Sequence, residues 1–407
     1  MSRRSRPFVA CLMVLALVLI LFSGCAEEKE EGKVPVVIGF VSDFSGAASS
    51  ALRVLWWNVT DFVKYTNEED PIPGVELKIV SYDTKYDTAR DLPGYEWVKD
   101  KGAQVILAPI GGTVEAMKPF AAEDKIPLWC GNATLPVVEP PGWAFAPMPL
   151  EGALTKTLLE WISTQWDYSQ GKPKIASVSW DVTTMLERVR GAREYCQEHP
   201  DKFEYLGDAI APPGAATWAG EIVKVKDCDL INVACGGTSA ATFINEFRSK
   251  GYNQRIIATY SMWAFQSMME EKAGKEALDG SWFASPIGWW GDPSPVWDLL
   301  ELLLSKYRAG EAESIKRDFG PAYPAAMVPL VVIDIIREAV AEVGAENFDG
   351  EVFYNTAVKW RKTYGGFDEW TFADGKRYAA RHVKIYEYQA DVGGPVQLTE
   401  WLPIVED

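Results

Sequence analysis

From Val34 onward, short runs rich in β-branched residues alternate with longer segments whose apolar residues recur at helical spacing. That alternation is the strongest constraint on the fold, because parallel strands can be joined only through long crossovers, usually helices. Strands are predicted over 36–41, 75–82, 105–108 and 127–130, with helices over 51–67, 88–101 and 113–123 between them. Pro93 falls in the first turns of the second helix. The pattern then restarts with helix 150–166, strand 174–180, helix 183–198, strand 203–210, helix 218–225, strand 230–234, helix 239–250 and strand 255–259. Two doubly wound α/β lobes follow, and open sheets of this kind bind ligands beyond the carboxyl ends of their strands. Past Gly280 the alternation gives way to helices over 296–308, 323–343 and 350–363, a hairpin turning at Asp374-Gly375, and an aromatic strand over 382–388.

The first residues set the compartment. Arg3, Arg4 and Arg6 precede an unbroken apolar run from Phe8 to Phe22, which ends at Ser23-Gly24-Cys25. The run is too short for a spanning helix and closes on small residues, the layout of a signal peptide over residues 1–24. Leu21-Phe22-Ser23-Gly24-Cys25 resembles a bacterial lipobox, in which the cysteine is acylated and becomes the mature N-terminus. Phe22 stands where that pattern more often has leucine, which leaves secretion without a lipid as the alternative. An acylated Cys25 would anchor the protein to the outer face of a membrane, in the periplasm or at the cell surface. Residues 25–33 lack apolar periodicity and read as an acidic linker.

Charge and cysteine usage remove several functions. The chain carries a formal charge of −17, and loss of the leader removes three arginines and no acid. So acidic a surface repels phosphates, so nucleic acid is not an expected partner. Beyond Cys25 stand Cys130, Cys196, Cys228 and Cys235, with no C-x-x-C pair and only His199 and His382 to help them. No metal site and no cofactor is expected, and buried free thiols are favoured over a Cys196–Cys228 bridge. Neither a G-x-S-x-G elbow, a phosphate-binding loop nor an H-E-x-x-H pair occurs, so no catalytic residue is assigned and the chain is not expected to be an enzyme.

Several short motifs then fall in a characteristic order. They are Val36-Val37-Ile38-Gly39-Phe40 running into Ser42-Asp43-Phe44-Ser45-Gly46, then Val80-Ser81-Tyr82-Asp83-Thr84, Gly111-Gly112-Thr113, Gly131-Asn132-Ala133-Thr134, and Cys235-Gly236-Gly237-Thr238. Taken together the mature chain resembles the type I periplasmic binding proteins, and among them the leucine/isoleucine/valine-binding-like receptors of ABC importers. The resemblance implies two lobes joined by three crossings, with residues 34–148 and 279–362 in the first and 149–278 and 363–407 in the second. It further implies a monomer that captures a small molecule, whether amino acid, carboxylate or amide-like, by hinge closure and presents it to an ABC permease. A ligand-sensing module coupled to a signalling partner is the alternative.

The residues carried over sit at strand ends. Ser45 and Gly46 follow the first strand, Gly112 and Thr113 open a helix whose free amides favour an anion, and Asn132, Ala133 and Thr134 follow the fourth strand. From the second lobe, Asp181, Thr183, Thr238, Tyr260 and Ser261 would close over the ligand, with Trp263 stacking on it. Each admits a plainer reading as a turn, helix cap or packing residue. Amino-acid receptors of this family place an acid where this chain has Ser261, and a buried ammonium without a carboxylate is costly. That departure points to a ligand lacking an ammonium group, unless Asp181 takes the acid's place.

Overall fold

The computed structural model describes residues 32–46, 48–324, 327–365 and 369–406. The leader and Cys25 lie outside the described residues. The first five strands form one parallel sheet: β1 (Val34–Ser42), β2 (Val75–Asp83), β3 (Val105–Ala108), β4 (Leu128–Cys130) and β5 (Ala144–Phe145), in the order β2-β1-β3-β4-β5. Ile38 in β1 lies opposite Ile79 on one side and Val105 on the other. Such runs are apolar on both faces because helices cover both.

Seven further strands follow: β6 (Lys174–Trp180), β7 (Glu204–Ala211), β8 (Leu230–Val233), β9 (Arg255–Thr259), β10 (Trp282–Ser285), β11 (Arg361–Thr363) and β12 (Glu369–Thr371). The last three are β13 (His382–Gln389), β14 (Gly394–Gln397) and β15 (Leu402–Pro403). The second sheet runs β14-β13-β10-β9-β8-β6-β7, with β15 paired to β13. β9 and β10 are parallel, whereas β13 returns antiparallel to β10.

Three placements correct the sequence reading. Residues from 279 were assigned to the first lobe, yet β10 pairs with β9, so the chain leaves the second sheet only after Ser285. The helix expected over 350–363 stops at Ala357, and 361–363 instead forms β11, paired antiparallel with β12. Residues from 363 were assigned to the second lobe, but the chain stays on the first until about Ala380: Phe372 packs edge-on against Trp129 and Phe145, and Ala146 exchanges backbone hydrogen bonds with Arg377 and Ala379. These pairings join residues far apart in sequence, which local periodicity does not report.

The late helices are fastened to the first lobe by a buried polar knot. Arg308 Nη2 donates to Asp61 Oδ1 at 2.7 Å and the Tyr323 hydroxyl to Asp61 Oδ2 at 2.9 Å. Burial pushes the Asp61 carboxyl up from its ordinary pKa against the pull of Arg308. All four described cysteines are free and buried; burial raises Cys130, Cys196 and Cys228 to about 12 and Cys235 to about 11, which keeps them as unreactive thiols.

Trp129 stacks on Phe145 at 5.3 Å and meets Phe353 and Phe372 edge-on. It thus joins β4, β5 and the C-terminal segment in one aromatic cluster. Trp129→Ala is expected to cost about 3–5 kcal/mol in urea unfolding. A loss under about 1 kcal/mol would mean the C-terminal segment is held by other contacts.

Candidate functional site

The loop after β1 is organised by two carboxylates. Asp43, fully buried, accepts the Ser45 amide at 3.1 Å and the Gly46 amide on Oδ1, and the Ala48 amide on Oδ2 at 2.9 Å. Asp83, at the end of β2, takes the Phe44 and Lys85 amides on Oδ1 at 2.9 and 3.0 Å and the Ser45 hydroxyl on Oδ2 at 2.6 Å. Burial alone would raise the Asp83 carboxyl, but the Ser45, Phe44 and Lys85 hydrogen bonds outweigh it and hold its pKa below the usual range. Gly46 passes so close to the next strand end that a Cβ would lie 2.3 Å from the Lys85 carbonyl oxygen, so only glycine fits.

Lys85 and Tyr86 both adopt left-handed backbone, φ 57° and 58°. For residues with a Cβ this costs about 1–2 kcal/mol each. The loop contacts sustain it, and the conformation carries Tyr86 into the cleft between the lobes, where it borders two cavities.

The first cavity has a volume of about 170 Å³. On one side it is walled by Ala51, Leu52 and Leu55 of helix Ser49–Glu68, together with Ile110 and Asn132. On the other stand Thr184 and Arg188 of helix Thr183–Glu198, with Tyr260, Ser261 and Phe265. The second cavity, about 340 Å³, lies between Thr84, Asp87, Asp91, Gly112 and Thr113 of the first lobe and Asp181, Thr183 and Pro213 of the second. Tyr86, Ile110 and Thr184 border both.

The lobes touch at this seam. The Tyr260 hydroxyl donates to Asn132 Oδ1 at 3.2 Å, and burial holds the phenol well above its ordinary pKa, so it remains a neutral donor. A Cβ on Gly111 would lie 3.1 Å from Thr184 Cγ2. Beneath Tyr260 runs a buried polar chain: Arg188 Nε donates to Glu151 Oε2 at 2.9 Å, the Thr259 hydroxyl donates to the same oxygen at 2.9 Å, and Ser261 Oγ lies 3.0 Å from Thr259 Oγ1.

The predicted residues therefore divide into three groups. Asn132, Tyr260 and Ser261 border the first cavity, and Gly112, Thr113, Asp181 and Thr183 the second. Ser45, Gly46, Ala133, Thr134, Thr238 and Trp263 border neither. The Ser45 hydroxyl is committed to Asp83. Thr134 is fully buried and its hydroxyl donates to Glu115 Oε1 at 3.1 Å, while Ala133 is buried in a bridge to Leu150. Thr238 is exposed, and Gly236 takes the wall position beside it. Trp263 is fully buried, stacked on Tyr388 at 5.1 Å, so its ring packs the second lobe. The Thr113 hydroxyl is taken by Asp91 Oδ1 at 3.0 Å, and burial raises the Asp91 carboxyl.

Arg188 and Tyr86 escaped the sequence reading. Arg188 had one signal: with Ala192, Tyr195 and Cys196 it falls on the buried stripe of its helix, where an arginine requires a partner. Among the described residues no cluster of three or more metal-ligating side chains occurs, and no helix is long and apolar enough to cross a membrane.

Two α/β lobes facing across a cleft at their strand ends define a binding protein. The chain belongs to the periplasmic binding protein family, whose model matches residues 35–354, and this is a family of type I, extracytoplasmic, non-enzymatic receptors. Among solved structures it is similar to a branched-chain amino acid ABC transporter protein from Thermus thermophilus with bound valine, at 19% identity, covering 91% of this chain and 97% of that one, TM-score 0.78. A fatty acid ABC transporter substrate-binding protein from Thermomonospora curvata is 16% identical over 91% and 92% of the two chains, TM-score 0.75. A solute binding protein of Rhodopseudomonas palustris BisB5 in complex with 3,4-dihydroxybenzoic acid is 14% identical over 92% and 98%, TM-score 0.74. No curated protein sequence matches the chain significantly.

The Asp83 linkage gives a signed pH test. A carboxyl whose folded pKa is depressed stabilises the fold above its unfolded pKa, near 4, and that contribution disappears as pH falls through the folded value. Asp83→Asn should lower the melting temperature at pH 7, and the gap to the wild type should narrow toward pH 3. A gap independent of pH would show that the loop does not depend on the charged form.

Proposed function

We propose that the protein is the substrate-binding component of an ABC importer, taking a small molecule between its lobes and presenting it to the permease in the closed form. The observation that carries this reading is the pair of cavities walled from both lobes, with the Tyr260–Asn132 hydrogen bond crossing directly between them. A ligand in either cavity touches both lobes at once, so its binding energy favours the closed arrangement over the open one. Exclusion of water then strengthens each polar contact inside. The ligands named for the similar structures, valine, a fatty acid and a dihydroxybenzoic acid, all carry a carboxyl group, and only the first carries an ammonium. They support a small organic acid or amino acid as the class to test.

On this reading the lipobox-like segment supports Cys25 as an acylated mature N-terminus, with residues 25–33 as a tether to the membrane surface. Growth with a labelled fatty acid should label the wild type and not Cys25→Ala; a wild type that takes up no label would argue against the lipid.

The functional test begins with a thermal-shift screen of the unlipidated domain against amino acids, carboxylates and amides, since a ligand at 100 times its Kd adds about 2.7 kcal/mol of stability. X-ray scattering with a confirmed ligand is expected to give a smaller radius of gyration than the free protein. Superimposable curves with saturating ligand would overturn the closure reading.

A further inference from the structure

We propose that Arg188 is the receptor for a ligand carboxylate, and that the first cavity selects a monocarboxylate with an apolar body and no ammonium group. The proposal rests on the reading of the cleft as a ligand site and names what that site recognises.

Arg188 is only 5% exposed and lines the first cavity. Its Nε is fixed on Glu151 Oε2, which is in turn held by the Thr259 hydroxyl. Among the described residues the two terminal nitrogens donate to no protein acceptor and neither is a sealed buried donor, which leaves them available to a group in the cavity that Arg188 lines. A guanidinium anchored through Nε offers its remaining N–H groups in a planar fork, the geometry that binds a carboxylate through two parallel hydrogen bonds. Glu151 is thus a positioning residue, and Arg188 is the group that would touch the ligand.

The Arg188–Glu151 pair is neutral as a unit, so the charge of an incoming anion needs further support. The amino ends of helices 111–124 and 183–198 supply it, since Gly111 and Thr184 from their first turns both border this cavity. No Asp or Glu lines the first cavity among the described residues, which leaves an α-ammonium without a counter-charge. Leu52, Leu55, Ile110, Phe265 and Pro321 provide an apolar wall for the rest of the molecule. A primary amide of the same shape would turn an NH2 toward the arginine donors, so the site also discriminates against amides.

The test is calorimetry with matched probes: 4-methylpentanoate, 4-methylpentanamide and leucine on one skeleton, and benzoate with benzamide on another. In each set the simple acid is expected to bind at least about 10-fold more tightly than its amide, and 4-methylpentanoate at least about 10-fold more tightly than leucine. Arg188→Gln should weaken the acids about 30-fold or more while changing the amides less than about 3-fold, and Arg188→Lys should recover part of the loss. Because Arg188→Gln strands a buried Glu151, the double variant with Glu151→Gln keeps the core neutral and serves as the control if the single variant unfolds. Amides or leucine binding as well as the acids, or a folded double variant that keeps full acid affinity, would overturn the assignment while leaving the importer reading intact. If neither these probes nor any compound of the wider screen binds the wild type, the cleft reading falls and the assignment with it.

Discussion

Strand β1 is buried on both faces from Ile38 onward, and a parallel strand in that position has little room for polar chemistry before its end. The polar groups collect at its carboxyl end, where Asp43 is fully buried and accepts the amides of the loop that follows. A second carboxylate, Asp83, ends the neighbouring strand and draws in the same loop from the other side. The space between these two strand ends is so narrow that Gly46 admits no Cβ and Lys85 and Tyr86 take left-handed backbone. The exposed ring of Tyr86, set between two cavities, is thus the far end of a chain of causes that starts with a buried parallel sheet.

The second lobe solves the same problem with different residues. β9 ends at Thr259, and the turn Tyr260–Phe265 places one phenol across the cleft and one hydroxyl beside Thr259. Here the buried charge is a pair, Arg188 and Glu151, rather than a lone carboxylate taking backbone amides. Such a pair does not by itself stabilise a core beyond what apolar residues of the same size would. At the cavity wall, with the terminal nitrogens left for a ligand as proposed, the pair suits binding rather than stability.

What the sequence disclosed follows from the range of the interactions. The strands 174–180 and 255–259 and the helix 183–198 were read with the bounds they have, because each is set by its own periodicity and flanking residues. The family pattern pointed to strand-end loops, and seven of the thirteen proposed ligand residues border a cavity there. Thr134 was misplaced because its hydroxyl is consumed by Glu115, a partner on a separate helix. Trp263 looked like a cleft ring from its position after Tyr260, but Phe283 and Tyr388 come from strands that sequence order does not bring near it. Arg188 was hidden for the converse reason: its meaning depends on Glu151, 37 residues away on a different helix.

Glu151 sits where the chain first crosses between lobes. Its amide donates to the Ala133 carbonyl of the first lobe at 3.4 Å, and Ala133 bridges Leu150, while its side chain is held by Arg188 and Thr259 of the second. Backbone and side chain of one residue therefore belong to different bodies. Under the proposed closure, a rotation about this crossing would turn on the backbone near Leu150 and Glu151 and leave the buried Arg188–Glu151 pair intact, since breaking it would strand buried charge. In the closure proposed above, the guanidinium would keep its aim while Leu52, Leu55 and Asn132 approach from the opposite wall. On the proposed assignment the guanidinium comes from the second lobe, while Leu52, Leu55 and Ile110 of the first lobe and Phe265 of the second share the apolar wall.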